Sequence, residues 1–222
     1  MKLLFIVLFS GLTINLFAQQ DSLLPDVTAK LKAGHDVSSI LTDKKYDRLH
    51  PETAFRELIK NYSSTAVLSI TTDTIPGKKI KVFGWVKNKE GKPIAGALVY
   101  LYHTDARGWY AADAPHVLQY EGDIRHARLF GYVKTDKDGK FELHTIKPSG
   151  YPKSDLPAHI HVHVSANGYS SYGTEFLFDD DTRLVGKIRE DAIRNSFMIA
   201  KPEKSIAPFE QQFSYTMILE KD

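Results

Sequence analysis

From Thr65 onward the sequence is a series of short β-rich segments that end at explicit turn residues. Residues 90–93 (Glu-Gly-Lys-Pro) and 137–139 (Lys-Asp-Gly) have the composition of tight chain reversals. The predicted strands are 80–87, 97–103, 129–135, 140–145, 159–166, 173–178 and 213–219. Short strands joined by such turns are typical of an antiparallel β-sandwich rather than a parallel sheet. We therefore predict an all-β fold of the antiparallel sandwich class.

The region before these strands is different in character. Residues 51–62 predict a short helix, because proline stands in the first turn and Phe55, Leu58, Ile59 and Tyr62 recur on one helical face. Residues 19–75 are thus expected to form an N-terminal helical arm, and residues 76–222 the sandwich. Within the sandwich, residues 179–212 are charged and irregular, with a helical turn expected near 189–195.

The first eighteen residues have the pattern of a signal peptide. Lys2 is their only charged residue, an apolar run from Leu3 to Leu12 follows it, and Ala18 precedes a polar pair. The alternative is a membrane anchor, but the apolar run is shorter than the ~20 residues of a spanning helix. We expect residues 1–18 to be removed, leaving an exported chain, periplasmic or secreted, without a membrane span.

Composition excludes several classes of function. The 222-residue chain has 29 basic and 27 acidic side chains, a net charge of +2, which argues against a dedicated nucleic-acid-binding protein. It has no cysteine, so neither a disulfide nor a thiolate ligand or nucleophile is available.

One predicted strand contains three histidines at alternate positions: His159, His161 and His163. Side chains at i, i+2 and i+4 of a strand lie on one face, so neighbouring imidazoles can bind the same metal ion. Ile160 and Val162 would then face the apolar side. The alternative is a solvent-facing strand that is merely rich in histidine.

Two of the eleven tyrosines have notable positions in the sequence. Tyr151 lies eight residues before His159, and Tyr110 ends the segment 105–110 (Asp-Ala-Arg-Gly-Trp-Tyr). A phenolate is a hard anionic oxygen ligand that suits ferric iron. Taken singly, each tyrosine is better explained as an amphipathic residue of a sandwich than as a metal ligand.

The order of these segments resembles the intradiol ring-cleavage dioxygenases. The resemblance covers about residues 80–180 and rests on VFGWVKNKEGKPIAGALVYLYHTDARGWY, GYVKTDKDGKFELHTIKPSGYP, LPAHIHVHVSANGY and YGTEFLFDDD. It implies a β-sandwich with one non-haem Fe(III) per chain, which cleaves a catechol-like diol with O2 to a muconate. The resemblance also allows a homodimer formed through N-terminal segments.

Carried over position by position, the resemblance gives the iron ligands as Tyr110, Tyr151, His159 and His161. Tyr151 would also be catalytic, as the ligand that the substrate displaces and that takes up a proton. His163 has no ligand counterpart, so it is expected to support the site from outside or to be exposed. Two positions depart from the family pattern: Leu156 replaces an arginine, and Glu175 replaces a glutamine.

Two other functions remain open from the sequence. The segments GKPIAGALVYLY and TDKDGKFEL also occur in transthyretin-like and carboxypeptidase-regulatory-like modules, which are not catalytic. Alternatively, the chain is an iron-binding member of the dioxygenase family that has lost the reaction, as the substitutions at Leu156 and Glu175 suggest.

Overall fold

The computed structural model describes residues 23–72, 74–110 and 127–222. The segment expected to be a signal peptide, residues 1–18, lies outside this range. Four α-helices are α1 (Leu23–Lys32), α2 (Val37–Leu41), α3 (Thr53–Asn61) and α4 (Gly186–Arg194), and a 3-10 helix spans Lys44–Leu49. None of the helices in the described ranges has both the length and the apolar character needed to cross a membrane.

Eleven strands of the described chain form two sheets. Their bounds are β1 (Ser64–Thr65), β2 (Val67–Ser69), β3 (Lys79–Asn88), β4 (Leu98–His103), β5 (Leu129–Lys134), β6 (Lys140–Ile146), β7 (His159–Ala166), β8 (Tyr169–Phe178), β9 (Met198–Ala200), β10 (Glu203–Lys204) and β11 (Gln211–Leu219). The first sheet has the order β1-β5-β4-β7-β8-β9, and the second has the order β10-β11-β3-β6-β2.

Both sheets are mixed, so the prediction of an antiparallel sandwich was wrong in this respect. The pairs β4–β5, β4–β7, β7–β8, β3–β6 and β10–β11 are antiparallel, whereas β1–β5, β8–β9, β2–β6 and β3–β11 are parallel. The turn residues predict only the pairing of strands that are close in the sequence. Each parallel pair instead joins strands separated by a longer connection.

The core lies between the two sheets. Side chains alternate along each strand, and β3 buries every second residue from Ile80 to Asn88. Phe176 of β8 contacts the Phe213 ring of β11 edge to face, with 6.0 Å between the centroids. Ile160 and Val162 are fully buried, which confirms the prediction that they face the apolar side of their strand.

The N-terminal helices cover part of the other face of the first sheet. The predicted helix is present as α3, and its Phe55 and Ile59 are fully buried. Phe55 packs edge to face on Phe130 of β5, with 6.4 Å between ring centroids. Because Phe130 lies opposite Tyr102 in the β4–β5 pair, this helix covers the same sheet face that carries Tyr102.

At the other end of this face, α4 packs on β8. It includes most of the helical turn that the sequence predicts near 189–195, and it buries Ala192 against Leu177. Leu177 lies opposite His159 in the β7–β8 pair, so the two side chains share a sheet face. The histidine-bearing face is therefore bounded by α3 on one side and α4 on the other.

Candidate metal centre

Strand β7 carries its histidines on the face between α3 and α4. His161 lies opposite Tyr102 of β4 and Glu175 of β8, and the Tyr102 and His161 rings stack with centroids 4.4 Å apart. His159 is buried, His161 is half-buried and His163 is exposed. The strand thus presents two sheltered imidazoles and one open to solvent.

Tyr110 is carried by a loop after β4 that Asp105 organises. The buried Asp105 carboxylate accepts hydrogen bonds from the backbone N–H groups of Arg107, at 2.8 Å, and Trp109, at 3.2 Å. It also accepts hydrogen bonds from Nε and Nη2 of Arg107, at 2.9 and 2.6 Å. These contacts fix the turn that precedes the Tyr110 side chain, which is 1% exposed.

The loop of Tyr110 lies directly against the loop of Tyr151. Gly108 has φ of +81°, and a Cβ atom at this position would overlap the backbone carbonyl oxygen of Gly150. A glycine is needed here both for the left-handed backbone and for the close approach of the two loops. The contact brings the hydroxyl oxygens of Tyr110 and Tyr151 within 2.7 Å of each other.

Four donor atoms converge at this point. The Tyr110 hydroxyl oxygen is 3.0 Å from Nε2 of His161, and the Tyr151 hydroxyl oxygen is 3.1 Å from Nε2 of His159. The two Nε2 atoms are 3.2 Å apart. The structure therefore brings together all four residues that the resemblance assigns as ligands.

The state of the two imidazoles suits metal binding. Nδ1 of His159 donates to the Pro157 carbonyl oxygen at 2.8 Å, so the Nε2 atom has its lone pair directed at the cluster. Burial, aided by the neighbouring His159, lowers the pKa of His161 to about 3, which keeps its ring neutral. Neutral imidazole is the form that binds a metal ion.

The donor set also fits a single ion geometrically. Ligand atoms that are each about 2.0–2.1 Å from one ion lie roughly 3 Å from their neighbours. The observed separations of 2.7 to 3.2 Å match that spacing. Two phenol oxygens and two imidazole nitrogens, with no sulfur, favour a hard ion such as Fe(III).

Glu175 is a further acidic group beside the cluster. Its Oε1 atom is 4.0 Å from Nδ1 of His161, and His159, His161 and Glu175 together offer ligand atoms within 4.8 Å of one another. The sequence marked Glu175 only as a departure from the family pattern. Its place beside His161 depends on the register of β7 against β8. The Asn-Gly turn at 167–168 would by itself pair His161 with Thr174, and a register shift between Val164 and Ala166 moves the pairing to Glu175.

His163 and Leu156 lie outside the cluster of four donor atoms. The His163 ring stacks at 6.0 Å from Tyr100 and 6.2 Å from Tyr102, and does not join the four donor atoms. The Leu156 side chain is 51% exposed. Its carbonyl oxygen accepts a hydrogen bond from Nη1 of Arg183 at 3.2 Å.

Several known proteins are similar to this chain. Catechol 1,2-dioxygenase 1 of Acinetobacter lwoffii is 29% identical over 136 residues, which cover 54% of this chain and 42% of the relative. The 6-chlorohydroxyquinol 1,2-dioxygenase of Cupriavidus pinatubonensis is 32% identical over 124 residues, covering 49% of this chain and 42% of the relative. The chain thus aligns with less than half the length of each of these curated relatives.

A solved structure and a family profile match a larger share of this chain than these two relatives do. The crystal structure of 3-chlorocatechol 1,2-dioxygenase from Rhodococcus opacus 1CP has a TM-score of 0.56 at 19% identity, covering 96% of this chain and 98% of that one. At this identity the likeness concerns the fold. The sequence profile of the family described as Dioxygenase matches residues 54–221, most of the chain. This chain therefore belongs to the intradiol dioxygenase family.

Proposed function

We propose that this protein is a non-haem Fe(III) dioxygenase that cleaves a catechol-like diol between its two hydroxyl-bearing carbons. The observation that carries the proposal is the convergence of the Tyr110 and Tyr151 hydroxyls with Nε2 of His159 and His161. In this proposal the four residues hold one iron ion, and both atoms of O2 enter a muconate-type product. A non-catalytic, transthyretin-like binding module does not require four converging side chains that can bind a metal ion.

The two tyrosines differ in a way that assigns them different roles. Tyr110 is 1% exposed and lies in the turn organised by Asp105, so it is held in place. Tyr151 is half-buried and therefore less enclosed than Tyr110. Tyr151 is therefore the side chain that can swing away and accept a diol proton at its hydroxyl oxygen.

The other residues orient and shelter the reaction. The Pro157 carbonyl holds the His159 ring, and Tyr102 stacks on His161, so both imidazoles are fixed before a substrate arrives. Fe(III), when bound, supplies the Lewis acidity that stabilises the diol as its dianion and activates the ring toward O2. No reductant is consumed, because the electrons that reduce O2 come from the diol itself.

Purified protein should show a broad visible absorption band from tyrosinate bound to Fe(III), with about one iron per chain by elemental analysis. On addition of catechol in air, the protein should consume one O2 per diol and release a cis,cis-muconate. Protein that stays colourless and iron-free after ferric reconstitution would refute the proposal.

Substitutions of the proposed ligands, compared with a substitution of the neighbouring His163, test which residues bind the iron. Tyr110→Phe and His161→Ala should each lose the iron, because each removes one of the four donors of the cluster. His163→Ala is the matched control on the same strand, and it should retain both the iron and the band. Wild-type iron content in Tyr110→Phe would refute the ligand assignment.

A second candidate function is an iron-binding member of the family that does not cleave diols. It is favoured by Leu156, which leaves an apolar side chain where the family pattern has a cation. The loss of a preorganised charge beside a reacting group typically costs ~10²–10³ in rate. Protein with the charge-transfer band, but with no O2 uptake on any diol tested, would establish this alternative.

A further inference from the structure

A cavity of about 430 Å³ adjoins the loops that carry Tyr110 and Tyr151. Ala106 of the first loop and Gly150 of the second both line it. In the described part of the chain, the four donor residues are not among the residues that line this cavity. Small-molecule sites in proteins typically have volumes of roughly 300–1,000 Å³. The structure thus contains a space of ligand size beside the donor cluster, with walls of its own.

Three cationic side chains line the cavity, in two parts of its wall. Lys78 precedes β3 and Lys147 follows β6, and the two are adjacent because the backbone N–H of Lys147 donates to the Lys78 carbonyl oxygen at 2.8 Å. Arg183 comes from the turn between β8 and α4. Its Nη1 atom lies so close to Gly150 that a Cβ atom on this glycine would be 2.2 Å away. One cationic part is therefore at the start of β3, and the other lies against the loop of Tyr151.

The two acidic residues of the wall already have partners. The Asp180 carboxylate pairs with Nζ of Lys147 at 2.6 Å, so the charge of this lysine is largely balanced. The Asp181 carboxylate accepts hydrogen bonds from the backbone N–H groups of Ala158, at 2.7 Å, and Arg183, at 2.8 Å. Both carboxylates are thus engaged by the protein itself.

Lys78 and Arg183 keep cationic groups that no carboxylate neutralises within the described residues. Lys78 forms no ion pair there, and Nη1 of Arg183 donates to a neutral acceptor, the Leu156 carbonyl oxygen, at 3.2 Å. Three cationic and two acidic side chains line the cavity, so positive charge is in excess. The cavity therefore favours an anionic ligand over a neutral or cationic one.

We propose that this cavity binds a small dicarboxylate. The two cations without a carboxylate partner, Lys78 and Arg183, belong to the two different parts of the wall, so a ligand with a carboxylate at each end can pair with both. A carboxylate forms strong, charge-assisted hydrogen bonds with ammonium and guanidinium groups. The cavity is also larger than an inorganic anion needs, which leaves room for a carbon chain between the two carboxylates.

Such a ligand would lie against both tyrosine loops, because Ala106 and Gly150 line the same cavity. A ligand that binds only the native protein stabilises it, so a bound dicarboxylate should hold the two loops together. The ring-opened product of the proposed reaction carries two carboxylates and belongs to this ligand class. The binding site itself is argued from the cavity and its charges, and it does not depend on that reaction.

The proposal is tested by calorimetric titration of adipate into the purified protein, with hexanoate and inorganic phosphate as references. We expect the Kd of adipate to be at least about tenfold lower than that of either reference, because only adipate can pair with both cations. Binding should weaken as salt is added. The visible band should not move on saturation, since the ligand binds away from the donor atoms. Equal binding of adipate and hexanoate, tighter binding of phosphate, or a shift of the band would overturn the proposal.

Charge-removing variants locate the site. Lys78→Gln and Arg183→Gln should each raise the Kd of adipate about tenfold, because each removes one of the two available cations. The matched control is Lys201→Gln, which removes the same charge from an exposed lysine that does not line the cavity, and it should keep the wild-type Kd. Lys78 is exposed and holds no ion pair, so its replacement should leave folding intact. Wild-type binding of adipate in Lys78→Gln would overturn the proposal even if Arg183→Gln fails to fold.

Binding of adipate and cleavage of diols are measured separately, so the two proposals can fail independently. If adipate binds as expected but no diol is cleaved, the proposed reaction fails and the dicarboxylate site stands. If a diol is cleaved but adipate shows no saturable binding, the dicarboxylate site is refuted and the proposed reaction stands.

Discussion

Gly108 determines how closely the loop of Tyr110 can approach the loop of Tyr151. A side chain at this position would meet both an unfavourable φ of +81° and the carbonyl oxygen of Gly150. We expect Gly108→Ala to lower the free energy of unfolding by about 3 kcal/mol, from backbone strain plus displacement of the loop. It should also reduce iron content, because the two hydroxyls move apart. Urea unfolding and elemental analysis measure both effects.

Gly168 offers a matched control for this prediction. It has a similar φ of +77°, but a Cβ atom there would have no neighbour within 4 Å. Gly168→Ala should therefore cost only the left-handed backbone penalty, about 1 kcal/mol, with iron content unchanged. Equal losses in the free energy of unfolding of the two variants would show that the contact between the two tyrosine loops does not contribute to stability.

The same contact explains what the sequence reveals about the site and what it does not. The alternation of His159 and His161 with buried aliphatic residues is visible from spacing alone, and the structure confirms it. Spacing does not select Tyr110 and Tyr151 among eleven tyrosines. Only the family resemblance did so, because their hydroxyls meet through a contact between loops 41 residues apart in sequence.

Helix α3 is fastened to the first sheet by a buried arginine. Nη1 of Arg56 donates to the backbone carbonyls of His50, at 2.9 Å, and Ala127, at 3.3 Å, and Nη2 donates to the Tyr100 hydroxyl at 2.7 Å. The guanidinium also lies 3.6 Å from the centre of the Phe130 ring. The planar, multiply bonded guanidinium thus connects the helix to the sheet face next to the site.

Replacement of this arginine should loosen the helix. Arg56→Leu leaves three buried acceptors without their donor, so we expect a loss of about 3–4 kcal/mol in the free energy of unfolding. Arg194→Ala, which removes an arginine at the exposed end of α4, should change stability by no more than about 0.5 kcal/mol. Urea unfolding followed by tryptophan fluorescence measures both. A loss in Arg56→Leu no larger than in the control would contradict this role.

Elements differ in how well the sequence predicts them. Helix α3 and the long strands have clear periodicity, and they are present close to the expected positions. Helices α1 and α2 lie in residues 19–50, where no sustained periodicity is visible, because they bury only a few side chains such as Val27 and Ile40. Strands of two or three residues, such as β1 and β10, exist only through their partners and carry no pattern of their own.

The whole molecule should lose stability in mild acid because it buries neutral histidines. Burial lowers the pKa of His50 and of His103 to about 4 each, against 6.5 for an ordinary histidine. Between these values the unfolded chain binds more protons than the folded protein, so stability decreases as the pH falls from about 6.5 to about 4. Each residue accounts for roughly 3 kcal/mol over this window.

The variant His50→Asn tests this prediction at a residue outside the donor cluster. Nδ1 of His50 contacts the Arg128 carbonyl oxygen at 2.7 Å, and an asparagine amide can donate to the same oxygen without titrating. The free energy of unfolding, measured by urea at several pH values, should therefore depend less steeply on pH below 6.5 in the variant. Identical slopes in the two proteins would contradict the assignment.

The parallel pairing of β3 with β11 has a consequence for biogenesis. Strand β11 pairs with β3 along residues 80–88 and 211–219, and lies between β3 and β10 in the second sheet. During translation, β3 is synthesised long before its parallel neighbour β11. Until β11 is available, one edge of β3 remains unpaired, and the second sheet cannot close. The native fold should therefore be acquired only after β11 has been synthesised, and a nascent chain that ends before residue 211 should remain sensitive to proteases.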